Sequence, residues 1–187
     1  NSQFAVLGLI AGQNAGAKVP AKVWSSVYNH WKNTQYKEGG WYYAPFAEGT
    51  PETSMVGSAS MTGAGLSSIL VSEAALKNVA TEKIAQTQEA AKRAMAKWAK
   101  TYPIPAPARH ANQGHVFSIY YDLYSLERSM MLGGFLKIGE KDWYHDGALY
   151  ILYNQMHNGA WLDTTDTCFA LLFLKKAYIA VATGGDK

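Results

Sequence analysis

Four stretches of this chain, Phe4 to Ala11, Met61 to Leu76, Val116 to Leu132 and Thr167 to Ile179, are apolar or small on nearly every helical face. A helix of that kind has no side to offer water and must be covered all round. Between them run three segments of another character. Val23, Trp24, Val27, Tyr28 and Trp31 recur at helical spacing behind Pro20, a residue suited to a first helical turn, which predicts an amphipathic helix over about 20 to 35. Ile84, Gln88, Ala91, Met95, Trp98 and Tyr102 make a second stripe, with Glu82, Glu89, Lys92, Arg93 and Lys100 on other faces. Tyr144, Gly147, Ala148, Ile151, Leu152 and Gln155 make a third, behind the capping candidate Asp142. No segment shows the sustained alternation or hairpin turns of strands. The expected class is all-α, with about seven helices that are buried and amphipathic in turn. Two concentric layers would produce that order, so an α/α barrel or solenoid fits best.

The chain has 187 residues, enough for one domain spanning 1–187 to bury a core without staples. With 48% hydrophobic and 17% charged residues it falls outside the disordered classes. A net charge of +3 is too small and too dispersed to argue for nucleic acid or an anionic membrane. No apolar run approaches the roughly 18 residues of a membrane span, because Cys168 to Leu174 is cut off by Lys175 and Lys176. Cys168 is the single cysteine, so no internal disulfide forms and the compartment stays open. The chain begins at Asn1 without an initiator Met or a leader and enters Phe4 to Ala11 at once, so residues upstream of Asn1 are expected.

Two inter-helix connections share a pattern, Gln-x-x-x-Gly-x-Trp. It is carried by Gln35, Gly39 and Trp41 and again by Gln155, Gly159 and Trp161. Repetition at one structural position marks a repeat architecture, with a helix pair of about 60 residues as its unit. Midway, the exit Pro103-Ile-Pro105-Ala-Pro107 stands where the motif has decayed. The Gln amide can satisfy orphan backbone groups at a helix end while the Trp ring covers it from solvent, so the motif reads as a fastener.

The residues carrying this pattern resemble the repeats of squalene and oxidosqualene cyclases and of protein prenyltransferase β subunits. In detail Asn1-Ser-Gln-Phe-Ala-Val-Leu-Gly-Leu, Ser60-Met-Thr-Gly-Ala-Gly-Leu, Leu123-Tyr-Ser-Leu-Glu-Arg128, Gly139-Glu-Lys-Asp-Trp-Tyr144 and Asp166-Thr-Cys-Phe-Ala-Leu-Leu-Phe-Leu174 are similar to bacterial prenyltransferase/squalene-oxidase-repeat proteins, many without an assigned activity. The resemblance implies an α/α toroid of about twelve helices, of which seven make a partial ring. Buried helices left open at its ends would be covered by a second toroid half, an upstream domain or a homo-oligomer partner. The function it points to is a binding or scaffolding module, for an apolar or isoprenoid ligand or a protein partner. The alternative is a terpenoid cyclase or prenyl-transferring enzyme.

For that alternative the candidate residues are Asp163 and Asp166, in Leu162-Asp163-Thr-Thr-Asp166-Thr-Cys168. The cyclases resembled carry Asp-x-Asp-Asp-Thr here, with a middle acid that protonates an alkene. This chain has Thr165 at that position, leaving Asp166 as the acid. The plainer reading is that Asp163 or Asp166 caps the last helix. Asp166 and Cys168 also resemble the zinc-holding pair of the prenyltransferases. No His follows, and His145, His157, His110 and His115 would have to approach in space to complete the three protein ligands a catalytic site needs. No metal and no cofactor is therefore expected, and Cys168 reads as a small buried hydrophobe. Tyr120, Tyr124 and Glu127 share one helical face with Met131, so rings and an acid would line one wall, suited to an isoprenoid or a carbocation. The bland alternative has Glu127 and Arg128 paired and the tyrosines packed between layers. Gly63-Ala-Gly65 has no preceding strand and is not a nucleotide loop.

Overall fold

A computed structural model describes residues 1–43, 59–76, 81–106 and 119–176. His110, His115, Pro107 and the ends of two predicted helices, 116–118 and 177–179, lie outside the described residues. Among the described residues there are seven helices: α1 Ser2–Asn14, α2 Ala21–Asn33, α3 Ala59–Ala75, α4 Thr81–Lys100, α5 Ile119–Gly133, α6 Trp143–Tyr153 and α7 Thr164–Lys175. Among the described residues there is no strand, only an isolated bridge between Ile138 and Lys141. The chain is all-α. The odd-numbered helices lie side by side in chain order, and the even-numbered ones pack against that row.

The ends of α2 and α6 and the C-terminal end of α4 depart by a residue or two from the periodicity. Pro20 stands before α2 as its N-cap, in extended backbone at φ −61°, ψ 141°. α2, α4 and α6 stop short of Gln35, Tyr102 and Gln155 because a polar side chain takes up an end carbonyl in each. Thr34 Oγ1 donates to His30 O (2.8 Å), Thr101 Oγ1 to Lys97 O (3.1 Å) and Asn154 Nδ2 to Tyr150 O (2.8 Å). Asp142 caps α6 as expected, accepting from the backbone N–H groups of Tyr144 and His145.

α3 and α5 are covered all round, as their composition requires. They approach so closely that a Cβ on Gly63 would stand 2.6 Å from the carbonyl carbon of Ser125. Gly65 admits the Trp41 indole against its Cα, so the Gly63-Ala-Gly65 sequence serves packing on two sides. Buried Ser72 and Ser129 are satisfied within their own helices: Ser72 Oγ donates to Ser68 O (2.7 Å) and Ser129 Oγ to Leu126 O (2.8 Å). Gln3 of α1 spans the pair, donating to Ser67 Oγ (3.2 Å) and accepting from Ser125 Oγ (3.1 Å).

α7 stays open on one side, where Leu171 is 54% exposed and no further helix flanks it among the described residues, while Phe4 of α1, 42% exposed, stacks on Tyr124 and meets Phe169. One expectation fails. α6 is not amphipathic: Leu152 and Tyr153, on its water side, are 59% and 55% exposed. In the first repeat the matching positions are the exposed Lys32 and Asn33.

The repeated connections agree bond for bond. Gln35 Nε2 donates to Gly39 O (2.9 Å) and Gln155 Nε2 to Gly159 O (2.8 Å). Trp41 Nε1 donates to Trp31 O and Trp161 Nε1 to Ile151 O, both at 2.8 Å. Each indole thereby satisfies a last-turn carbonyl and shields it. Gly39 and Gly159 hold φ of +99° and +83°. They differ in their surroundings: a Cβ on Gly39 would overlap the Arg93 carbonyl of α4, whereas one on Gly159 would meet only its own Gln155 amide at 4.0 Å. Gly159→Ala should therefore cost about 1 kcal/mol of backbone strain. Gly39→Ala adds a backbone clash and should cost about 3 kcal/mol. Urea unfolding of the two variants measures the contrast, and equal losses would contradict it.

Candidate functional site

The turn from α6 into α7 gathers the largest group of sequence-predicted residues. Asp163 is the N-cap of α7, its Oδ1 accepting from Asp166 N at 2.8 Å. Thr167 Oγ1 accepts from Trp161 N (3.0 Å) and donates to the Asp163 carbonyl (2.8 Å), which ties the fastener to the cap. Asp163 thus does what an Asp before an apolar helical run ordinarily does. Asp166, one turn in, is only 6% exposed and lies near the Tyr120 phenol. That phenol is held well above its ordinary range by burial first, then by Tyr150 and by the Asp166 charge. Cys168 sits two residues on, around the helix from Asp166, and is exposed rather than buried as the composition suggested. The two therefore do not converge on a common point. His145 is engaged with Asp146 on α6, His157 is exposed in the turn, and no metal-ligand group of three forms among the described residues.

Beside this turn runs an open groove of about 860 Å³. Its apolar walls are Tyr120, Leu149, Leu152, Tyr153, Met156 and Leu162, with Asn154, Gln155 and His157 at the edge. Of the apolar walls only Tyr120 reads as a ligand-binding residue from sequence; Gln155 reads there as a fastener and His157 as a possible metal ligand. The signal that could have found the others is the comparison of repeats, in which Leu152 and Tyr153 replace Lys32 and Asn33 at matching water-facing positions.

The second predicted cluster divides. Tyr120 packs toward α6, its ring 6.3 Å from Tyr150. Tyr124 turns to the other side, stacking on Phe4 of α1 (5.9 Å) and meeting Phe169 of α7 (5.2 Å). The two tyrosines share a helix face by spacing yet face different neighbours. Glu127 is fully buried and bound through both carboxylate oxygens to Arg128 at 2.5 Å, and the guanidinium lies 5.6 Å from the Tyr124 ring centre. An acid closed off in this way meets no ligand; it joins the aromatic contact of α1, α5 and α7 to a charge pair. Sequence reading passed over two other buried polar residues, Gln3 and Asp122. Asp122 Oδ1 accepts from Ser60 N at 2.9 Å and so anchors the start of α3 to α5.

No family model, curated protein or solved structure matches this chain.

Burial pushes the Glu127 carboxyl up to about 7, against the opposing pull of Arg128 and Lys176. A carboxyl raised above its unfolded value of 4.5 binds its proton more tightly in the folded state, so its contribution is full below about 4.5 and lost as pH rises to about 7. Stability should fall across that interval, and Glu127→Gln should flatten the slope; thermal melts from pH 4 to 8 would show it. An unchanged slope in the variant would exclude Glu127 as its source. Leaving Arg128 buried without its partner charge should also cost about 3 kcal/mol at pH 8.

Proposed function

We propose that this chain is a partial α/α toroid of the prenyltransferase/squalene-oxidase repeat kind, acting as a binding or scaffolding module for an apolar ligand or partner. The observation that carries this reading is the open groove at the α6–α7 turn. Large apolar side chains stand in water there although the first repeat has polar residues at the matching exposed positions. Exposed apolar surface of that kind serves binding more often than it serves nothing. Tyr120 forms its floor, while Asp163 and the Gln155-to-Trp161 fastener hold its rim. An isoprenoid-sized molecule suits the volume and the aromatic wall.

The catalytic alternative has one observation in its favour, the burial of Asp166 beside a tyrosine that lines the groove. An acid strong enough to protonate an alkene needs a dry enclosure, whereas this groove is open to water. Thr165, where the cyclases resembled place their middle acid, weighs the same way. The binding reading therefore stands first.

The test is titration of the purified chain with farnesol and with the fluorophore anilinonaphthalene sulfonate. Both should bind, and Leu152→Lys with Tyr153→Asn, which restores the polar residues of the first repeat, should weaken binding at least about tenfold with the helical spectrum unchanged. Unaltered binding would place the ligand elsewhere. Conversion of an added polyprene that is lost in Asp166→Asn would establish the catalytic alternative instead.

A further inference from the structure

Inside this chain each outer helix passes its exit loop to the next outer helix at one fixed position. The alignment of α2, α4 and α6 is set by their matching end caps, Thr34, Thr101 and Asn154. In the first instance the loop after α2 rests on α4. Gln35 Nε2 donates to Ala90 O (2.9 Å), Gly39 abuts the Arg93 carbonyl, Arg93 donates to Tyr36 O, and Lys97 stands 3.9 Å from Glu38. In the second, the loop after α4 meets α6 at the residue aligned with Arg93, where Tyr102 donates to Asp146 at 2.7 Å. The third loop, after α6, repeats the internal geometry of the first and has no recipient helix among the described residues. Gln155, Met156, Gly159 and Leu162 are exposed there.

At the opposite end α2 is the outer helix onto which no preceding loop docks among the described residues. Its positions aligned with Ala90, Arg93, Ala94 and Lys97 are Val23, Ser26, Val27 and His30. Ser26 and His30 are exposed, and Val23 and Val27 are half-buried. The two open edges also depart from the internal contact in the same sense. On the loop, Asn158 replaces Glu38, Met156 replaces Tyr36 and Leu162 replaces Tyr42; on the helix, Ser26 replaces Arg93 and His30 replaces Lys97. The carboxylate is gone from the loop and the Lys and Arg are gone from the helix, so the two open edges meet without leaving half of the Glu38–Lys97 pair unmatched.

We propose that a second copy of this chain docks its α2, through Val23, Ser26, Val27 and His30, on the α6–α7 turn of the first, a head-to-tail contact that repeats the internal loop-to-helix contact. This rests on the reading of the chain as a binding module and names its partner. Such a contact is heterologous: each copy offers one head and one tail. By the internal precedent it covers Gln155, Met156, Gly159 and Leu162 and leaves Leu149, Leu152 and Tyr153 in the groove free.

Sedimentation velocity of the purified chain over a concentration series tests it. The wild type should associate, and Leu162→Glu at the tail or Ser26→Trp at the head, both at exposed positions, should each weaken association at least tenfold. Mixing the two variants should restore a one-to-one dimer with wild-type affinity, since one intact edge of each kind remains. Asn158→Glu with His30→Lys, which installs the Glu38–Lys97 arrangement at this contact, should tighten association in low salt. A wild type that stays monomeric, association indifferent to either edge, or a mixture that fails to pair would each overturn the proposal. Farnesol binding measured on Ser26→Trp, which removes the head and leaves every groove residue intact and uncovered, separates the cases: binding by this variant with a wild type that stays monomeric sinks the head-to-tail contact alone, and no binding by this variant with a wild type that associates sinks the apolar-ligand reading alone.

Discussion

A helix ends in carbonyls that have lost their intrahelical donors, and in this protein the way those carbonyls are satisfied organises the rest. Trp41 and Trp161 each donate an indole N–H to a carbonyl of the last turn, at Trp31 and Ile151, and then lie over the bond they make. The Gln amides close the loop on its own glycine carbonyl. Because both partners come from one short segment, the loop keeps its shape whether or not anything lies beside it. That self-sufficiency explains how the first copy, pressed against α4, and the third, exposed, have the same internal bonds. Between them the exit of α4 lacks a matching Gln and Gly, and Ile104 packs into the core there instead.

The loop shape in turn sets how helices approach. Trp41 reaches across to Gly65 on α3, and Gly39 brings its loop against the backbone of α4. Small residues at these places are geometric necessities, since a Cβ would meet an indole or a carbonyl. The same economy of size lets α3 and α5 meet at Gly63 and Ser125. Serines are affordable there because a hydroxyl returned to its own helix leaves no unmet polar demand on a neighbour. Gln3, Asp122 and the Glu127–Arg128 pair are buried polar groups that each have a partner, as burial requires.

The proposed binding site lies where the repeat runs out. At α6 the exposed Leu152 and Tyr153 stand where the first repeat has Lys32 and Asn33, and above the core residue Tyr120 they wall an open groove. Two acids read as site candidates are committed to structure: Asp163 to a helix cap, and Glu127 to an arginine in the interior. What faces the groove is surface suited to contact, with Tyr120 as its floor.

Periodicity alone settled the helical class, the order of seven elements and the fastening residues Gln35, Gly39, Trp41, Gln155, Gly159 and Trp161. Asp142 was legible as a cap, and Asp163 as one of two candidates beside Asp166. These are local properties, carried by spacing within a few turns or by bonds within one loop. The sequence could not tell that Tyr120 and Tyr124 part company, that Cys168 is exposed, or that α6 shows an apolar side to water. Each of those depends on which helix lies alongside, and two residues one turn apart can meet different neighbours although their spacing is identical. The groove was invisible for the same reason: a Leu or Tyr on a helix reads as core until the tertiary structure shows whether another helix covers it.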